Sequence, residues 1–228
     1  MKNFKQAIPV ALVAACGPLL SVHADVLADW TFETSIPATA GPFNPEVGSG
    51  SAIGSHASGS AVYSSPTGNG SAKAFSSNFW GVNDYYQFQT STVGYTGVTV
   101  TYDQISSATG PGSFAFGYST DGVNFTYLSN YTVLANAAPN VWSNSVHSAA
   151  SAYSYDLTLA TDLNGAASVY FRLTDTATTS ANGGTVGTGG TDRVDNFTIS
   201  AQPVPEPASI ALSVIGGLAL LVVRNRRP

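Results

Sequence analysis

Apolar and polar side chains alternate along most of this chain with a period of two residues. In GVTVTYD, Val98, Val100 and Tyr102 share one face of an extended strand, and SFAFGYST repeats the pattern with Phe114 and Phe116. Successive side chains of a strand point to opposite faces of a sheet, so this period indicates half-buried β-strands. The pattern argues against a fold built from amphipathic helices.

Further alternating segments predict the fold class. They are VLADWTF, YYQFQ, FTYL, YSYDLTL, SVYFRL and RVDNFTIS. Gly, Pro, Asn and Ser separate them, and Asp121-Gly122 before FTYL is a strong hairpin-turn signal. Short strands with such punctuation are typical of sandwiches and barrels. We predict an all-β fold, a jelly-roll-like antiparallel β-sandwich over residues 25–202, with an N-terminal signal helix and a C-terminal transmembrane helix.

The first 24 residues have the organisation of a secretory signal peptide. Lys2 and Lys5 precede the apolar run AIPVALVAACGPLLSV, and Ala24 ends a small-residue cleavage box. We predict a signal peptide over residues 1–24. Two alternatives stay open, an uncleaved anchor helix and a lipoprotein box ending at Cys16. Cleavage after Ala24 would remove the only cysteine, so a disulfide would not be available.

The C-terminus combines an apolar run with a basic tail. Residues 208–223 form a 16-residue apolar stretch, and Arg224, Arg226 and Arg227 follow in the tail 224–228. As a helix the stretch spans ~24 Å, short of the ~30 Å hydrocarbon core, which local thinning of the bilayer can accommodate. Because positive charge beside a span stays cytoplasmic, we expect the central domain to lie outside the inner membrane.

This ending resembles a known sorting signal. Val204, Pro205, Glu206 and Pro207, then the apolar helix and the arginines, resemble the PEP-CTERM signal of Gram-negative bacteria over residues 203–228. The resemblance implies that an exosortase recognises the membrane-anchored precursor and cuts near the motif. It also implies a mature form at the cell surface or in an exopolysaccharide or biofilm matrix. A plain tail anchor is the alternative.

The charge distribution excludes one class of partner. Charged residues make up 9% of the chain, and residues 25–203 contain three basic against twelve acidic residues, a formal charge of −9. Nucleic-acid binding needs a Lys/Arg footprint that this domain lacks. Divalent cations are a more natural partner.

One pair of acids suggests a structural ion. DWTFE opens the domain and DRVDNF closes it. Some sugar-binding jelly rolls of the galactose-binding-like kind have similar F-E and D-N-V segments, whose acids help to hold calcium. Here the matching acids are Glu33 and Asp195, with Phe197 in place of the valine. The resemblance implies calcium at Glu33 and Asp195; alternatively, these acids cap turns or pair with Arg172 or Arg193.

The sequence offers little for catalysis, and we predict no catalytic residues. No nucleophile, zinc or phosphate-binding motif occurs. His56 and His147 lie in segments rich in Ser, where solvation is expected. Asp175 and Asp192 flank a Gly-rich loop and are the best candidates for a glycosidase pair, although we expect both to be solvated.

Aromatic residues suggest sugar contact instead. In NFWGVNDYYQF we expect Trp80 to be exposed and, with Tyr85, to stack on sugar rings, whereas Trp30 is expected in the core. We predict an exported surface or matrix protein, non-enzymatic and structural or adhesive, associated with exopolysaccharide. The alternatives are a carbohydrate-binding module and a hydrolase or lyase acting on exopolysaccharide.

Overall fold

The computed structural model describes residues 23–204, and these fold almost entirely as β-structure. Two 3-10 helices, Ala149–Ser151 and Thr161–Leu163, are the helical segments of this part of the chain. The strands are β1 (Asp25–Trp30), β2 (Val47–Gly48), β3 (Ser51–Ser55), β4 (Tyr63–Ser64), β5 (Phe75–Ser77), β6 (Tyr85–Thr90), β7 (Tyr95–Ser106), β8 (Ser113–Ser119), β9 (Thr126–Thr132), β10 (Ala152–Asp156), β11 (Val169–Asp175) and β12 (Asp192–Pro203).

The strands form two sheets. Sheet A has seven strands, with β10, β7, β12, β1 and β2 in spatial order and β5 and β4 beside one end of β12. Sheet B has five strands in the order β3, β6, β11, β8 and β9. All strand pairs are antiparallel, and β7 to β12 form the most extensive contact. The first and last strands are therefore neighbours at the centre of sheet A.

The core lies between the sheets and is built mostly from aromatic rings. Trp30 on β1 and Phe197 on β12 meet Phe88 of sheet B, and the rings of Phe88 and Phe197 stack with centroids 3.5 Å apart. All three side chains are fully buried. Burying each such side chain contributes about 1.5–3 kcal/mol, so packing stabilises the sandwich without a disulfide.

These observations confirm the predicted antiparallel all-β fold, and Trp30 lies in the core as expected. The Asp121-Gly122 hairpin is also confirmed, because β8 pairs with β9 across it. The finer jelly-roll assignment stays a prediction. The predicted signal and C-terminal helices fall outside the described residues, apart from His23 and Ala24. Within residues 23–204, no helix has the length and apolarity needed to cross a bilayer.

Candidate functional site

The outer face of sheet B carries a cluster of aromatic and polar side chains around one arginine. Alternation places Tyr86 and Phe88 of β6 in the core and turns Tyr85 and Gln87 outward. On β11, Arg172 points outward directly beside Gln87. We call this surface the sheet-B face; it comprises Tyr85, Gln87, Phe125, Tyr127, Tyr170 and Arg172.

The guanidinium of Arg172 lies between two aromatic rings. Its central carbon is 4.0 Å from the centroid of Tyr85 and 3.9 Å from that of Phe125. Its Nε donates a hydrogen bond to Oε1 of Gln87 at 2.8 Å, and Nη2 makes a long contact of 3.4 Å to the carbonyl oxygen of Gly122. At such a partly exposed site each cation–π contact contributes about 0.5–1 kcal/mol. The guanidinium plane is therefore held in one orientation.

Two glycines let the outer rings approach the sheet closely. A Cβ at Gly117 would lie 2.7 Å from the ring of Tyr127, and one at Gly122 would lie 3.1 Å from the ring of Tyr170. Gly122 also adopts a φ of 72°, which favours glycine. Tyr127 keeps 45% of its surface exposed, and its hydroxyl lies 3.2 Å from Oγ1 of Thr174. The result is an exposed ring on a flat, rigid support.

The turn between β8 and β9 fixes the position of Phe125. Oδ1 of Asp121 accepts hydrogen bonds from the backbone N–H groups of Val123 and Asn124, both at 2.8 Å, and from the hydroxyl of Ser119. These bonds hold the pKa of Asp121 well below its ordinary value, led by the contacts of Asn124. The loop that covers one side of Arg172 is thus a well-bonded turn.

Arg172 has no carboxylate within ion-pair distance in residues 23–204. The two ion pairs found in that range are both histidine–aspartate contacts, His56 with Asp84 and His147 with Asp103. The alternative in which Arg172 or Arg193 neutralises Glu33 or Asp195 is therefore wrong.

Trp80 corrects the expectation of an exposed ring. It is 7% exposed, and its indole N–H donates to the carbonyl oxygen of Ser77 at 2.9 Å. The rings of His56 and Phe114 pack against it at 4.5 and 5.3 Å between centroids. Trp80 therefore does not offer a face for stacking in this structure. Tyr85 does lie at the surface, where it contacts Arg172.

His56 is buried, contrary to the expectation of a solvated loop residue. Its Nδ1 lies 3.0 Å from Oδ2 of Asp84, and its Nε2 lies 2.9 Å from Oγ of Ser77. The arrangement resembles a nucleophile–base–acid relay. However, Ser77 is 1% exposed and its hydroxyl also bonds the hydroxyl of Tyr86 at 3.0 Å. Burial of the imidazole also lowers the pKa of His56. Because His56 and Ser77 are both covered, the network joins a loop to the core and does not face a cleft.

Asp175 and Asp192 are also buried, so the expectation that the loop solvates them is wrong. Asp192 accepts hydrogen bonds from Gln104 and Ser106, both at 2.9 Å, and burial raises its pKa well above the ordinary value. Burial raises the pKa of Asp175 to about 6.

Glu33 and Asp195 both bind the segment between β4 and β5. Oε1 of Glu33 accepts the backbone N–H of Lys73 at 2.7 Å. Oδ2 of Asp195 accepts the N–H of Asn69 at 2.8 Å and the hydroxyl of Ser71 at 2.6 Å. Asp195 is fully buried, and this burial raises its pKa to about 7.

Oxygen atoms converge at this segment. A Cβ added at Gly68 would collide with the hydroxyl of Ser71, the carbonyl of Lys73 and the carboxylate of Asp195. Calcium binds six to eight oxygens, including backbone carbonyls. Within residues 23–204 no group of three or more His, Cys, Asp or Glu side chains is placed to hold a metal. The residues therefore fit an ion only as a partial ligand set completed by carbonyl and hydroxyl oxygens.

A comparison with protein-family models tests the sorting signal that the sequence predicts at the C-terminus. The chain carries a PEP-CTERM protein-sorting motif. The family model with that description matches residues 203–227. The motif implies an exosortase-sorted surface protein, exported and anchored by its C-terminus before cleavage. Val204 is the last described residue, and Pro205, Glu206 and Pro207 lie outside the described residues, as do residues 208–228 and Cys16.

Comparisons of the whole chain give weaker likenesses. No curated protein matches the sequence. The K2 cleaved adhesin domain of Lys-gingipain has 18% identity and a TM-score of 0.44, over 75% of this chain and 96% of that domain. The K3 cleaved adhesin domain of Lys-gingipain from Porphyromonas gingivalis W83 has 19% identity and a TM-score of 0.39, over 77% and 98%. TmCBM61, solved with beta-1,4-galactotriose, has 9% identity and a TM-score of 0.40, over 74% and 92%. Such distant likenesses say nothing about what this PEP-CTERM chain binds.

Sequence reasoning missed the centre of the sheet-B face. Arg172 was considered only as a partner for acids, and Phe125 and Tyr127 were not considered. The available signal was the alternation itself, because SVYFRL places Arg172 on the face opposite Phe171 and Leu173. The sequence analysis also does not predict the cavity of about 350 Å³ on sheet A, where His147 lies beside the buried Asp103.

Proposed function

We propose that this chain is an exosortase-processed surface protein whose domain, residues 25–202, contacts exopolysaccharide as a non-enzymatic adhesive component. The observation that carries this proposal is the sheet-B face, where the exposed ring of Tyr127 and three half-buried rings surround Arg172 and Gln87. Sugars present C–H groups that pack on the electron-rich face of an aromatic ring. Their hydroxyls accept hydrogen bonds from guanidinium and amide groups.

The composition of the sheet-B face favours binding over hydrolysis there. A glycosidase needs two carboxyl groups about 5–9.5 Å apart across the scissile bond. The outward positions of β3, β6, β8 and β11 carry hydroxyl, amide, aromatic and guanidinium groups and no Asp or Glu. The acids nearest in sequence are Asp84 and Asp175, which are buried, and Asp121, whose oxygens are engaged in the turn.

Affinity electrophoresis of the full chain, kept in detergent micelles, tests the proposal with gels that contain individual polysaccharides. We expect retardation in at least one gel. Tyr127→Ala should remove this retardation, whereas Tyr95→Ala on sheet A, the matched control, should keep it. If no polysaccharide retards the protein, or if both variants behave alike, the proposed function is wrong.

The sorting part of the proposal concerns Pro205, Glu206 and Pro207. We propose that a membrane-bound exosortase reads these residues, in line with the motif match. Replacing all three by Ala should leave an uncleaved, membrane-bound precursor in the producing cell, as seen by immunoblotting of membrane and medium fractions. Equal processing of variant and wild type would contradict this reading.

We also propose that calcium binds at Glu33 and Asp195. The support is the convergence of Asp195, Ser71 and the Lys73 carbonyl over Gly68, and the lack of a Lys or Arg paired with Asp195 in the described range. A bound cation would neutralise a buried carboxylate. It would also tie the segment before β5 to β12 close to the point where β1 ends.

A further inference from the structure

We infer that the sheet-B face selects acidic saccharides, with Arg172 as the group that binds their carboxylate or sulfate oxygens. This inference rests on the proposed carbohydrate-binding function and names the class of saccharide. It is argued from the charge, the open edge and the ring contacts of Arg172.

The first observation is that the positive charge of Arg172 is isolated. The strands of sheet B contain no other Lys or Arg, and their one acid, Asp175, is buried and 1% exposed. In the described part of the chain no carboxylate lies within ion-pair distance of Arg172. The domain has twelve acids and three bases, so an unpaired base at the surface stands out.

The second observation is that one edge of the guanidinium is open. Nε is occupied by Gln87 and Nη2 has only a long contact with Gly122. Nη1 has no hydrogen-bond partner among residues 23–204, and it does not belong to the buried unpartnered polar atoms, which are Tyr102 Oη, Asp175 Oδ2 and Arg193 Nε. Nη1 therefore has contact with solvent, and Nη2 beside it has only the long 3.4 Å contact to Gly122.

The third observation is that the rings direct a ligand to that edge. The rings of Tyr85 and Phe125 each lie against the guanidinium carbon of Arg172 at about the van der Waals distance. A ligand group therefore meets Arg172 most readily at its N–H edge, where two parallel N–H groups match the spacing of two oxygens of an oxyanion. A sugar hydroxyl offers one oxygen and uses half of this fork, whereas a carboxylate or sulfate uses all of it.

The net negative charge of the rest of the domain does not cancel the preference of Arg172 for an acidic saccharide. At physiological ionic strength, charges more than about 8 Å apart in solvent are largely screened. The acids nearest in sequence to the sheet-B face are Asp84 and Asp175, which are both buried, and Asp121, which makes no ion pair with Arg172 in the described part of the chain. Binding should therefore depend on the local contact with Arg172, and we expect no long-range attraction for polyanions.

The test compares polygalacturonate with its fully methyl-esterified form, which has the same backbone without the charge. The full chain in detergent micelles is measured by affinity electrophoresis, with dextran sulfate and neutral dextran as a second pair. We expect wild type to bind polygalacturonate or dextran sulfate about ten- to hundredfold more tightly than the neutral partner, the range of one charge-assisted pair. Whichever acidic polymer is preferred identifies carboxylate or sulfate as the recognised group.

Variants locate the preference. Arg172→Gln should lower the affinity for the acidic polymer to near that of the neutral one, and it should lower neutral binding much less, because a glutamine amide can still donate a hydrogen bond to a sugar hydroxyl. Arg193→Gln on sheet A, which removes the same charge elsewhere, should keep the preference. Arg172→Lys keeps the positive charge but lacks the two parallel N–H groups, so it should retain only part of the preference for the acidic polymer. If circular dichroism shows that Arg172→Gln does not fold, the result for Arg172→Lys tests the inference instead.

Three results would overturn the inference. If the acidic and neutral polymers bind equally and Tyr127→Ala weakens both, the proposed function stands and the acidic preference is wrong. If no polysaccharide binds, both are wrong. If Arg172→Gln instead dissociates a dimer seen by sedimentation and leaves polysaccharide binding unchanged, the occupant of the face is a second copy of this chain.

Discussion

Among residues 23–204, the guanidinium of Arg172 on the sheet-B face lies against two rings with no carboxylate within ion-pair distance, whereas on sheet A the buried carboxylate of Asp195 has no Lys or Arg within that distance. Arg172 keeps an edge in water. Asp195 is cut off from water and depends on three hydrogen-bond donors, from Asn69, Ser71 and Asn196. An exposed unpaired charge hardly lowers the stability of the fold and remains available to a ligand. A buried unpaired charge lowers the stability until a proton or a cation neutralises it.

The pH dependence of stability gives the largest expected effect. The folded-state pKa of Asp195 is raised to about 7, chiefly by burial. The unfolded chain releases this proton near pH ~4, whereas the folded domain keeps it until about pH 7. The stability from this group is therefore present below pH ~4 and is lost as the pH rises from ~4 to ~7, at roughly 1 kcal/mol per pH unit.

Chemical denaturation of the full chain in chelator at a series of pH values measures this loss. Asp195→Asn should reduce the slope but not remove it, because burial also raises the pKa of Asp175 to about 6. An unchanged slope in the asparagine variant would show that Asp195 does not titrate in this window.

Removal of the Asp195 side chain tests how the buried site is held together. Asp195→Ala leaves three hydrogen-bond donors without their acceptor. The free energy of unfolding should fall by about 2–4 kcal/mol, because the cost of these unpaired donors exceeds the gain from no longer burying a carboxylate. For a domain of this size the melting temperature should fall by roughly 5–12 °C. Glu33→Ala is the matched control: the Glu33 carboxylate is exposed and accepts one bond, so its loss should lower the melting temperature much less.

Calcium should convert the buried charge into a stabilising contact. At a hundredfold excess over Kd, a ligand of the folded state adds about 2.7 kcal/mol, which raises the melting temperature by roughly 5–10 °C. Chelator should reverse the rise, and Asp195→Asn should abolish it. If wild type melts at the same temperature in calcium and in chelator, no such site exists.

Loss of Arg172 should have the smallest effect on stability. Arg172→Gln removes two cation–π contacts and the hydrogen bond to Gln87, but leaves no buried donor or acceptor isolated. We expect a loss of about 1–2 kcal/mol in denaturant unfolding, because each of the two cation–π contacts contributes about 0.5–1 kcal/mol at a partly exposed site. A loss as large as that of Asp195→Ala would mean that Arg172 supports the fold, and the contrast between the two regions would fail.

Local patterns account for the predictions that succeeded. Period-two alternation needs only neighbouring residues, so GVTVTYD and SFAFGYST predicted their strands, and Asp121-Gly122 predicted its hairpin. Burial failed to follow from local pattern at Trp80 and His56, since their cover comes from segments distant in the chain.

The sequence by itself determined the all-β class and the PEP-CTERM ending, because alternation, turn residues and the sorting motif are written in adjacent positions. The tertiary structure decided which charges are isolated and which rings are exposed. Arg172 meets Gln87 across 85 positions of sequence, and Asp195 meets Asn69 across 126. The physical reason is that burial, ring stacking and charge pairing depend on side chains that only the register of the sheets and the path of the loops bring together.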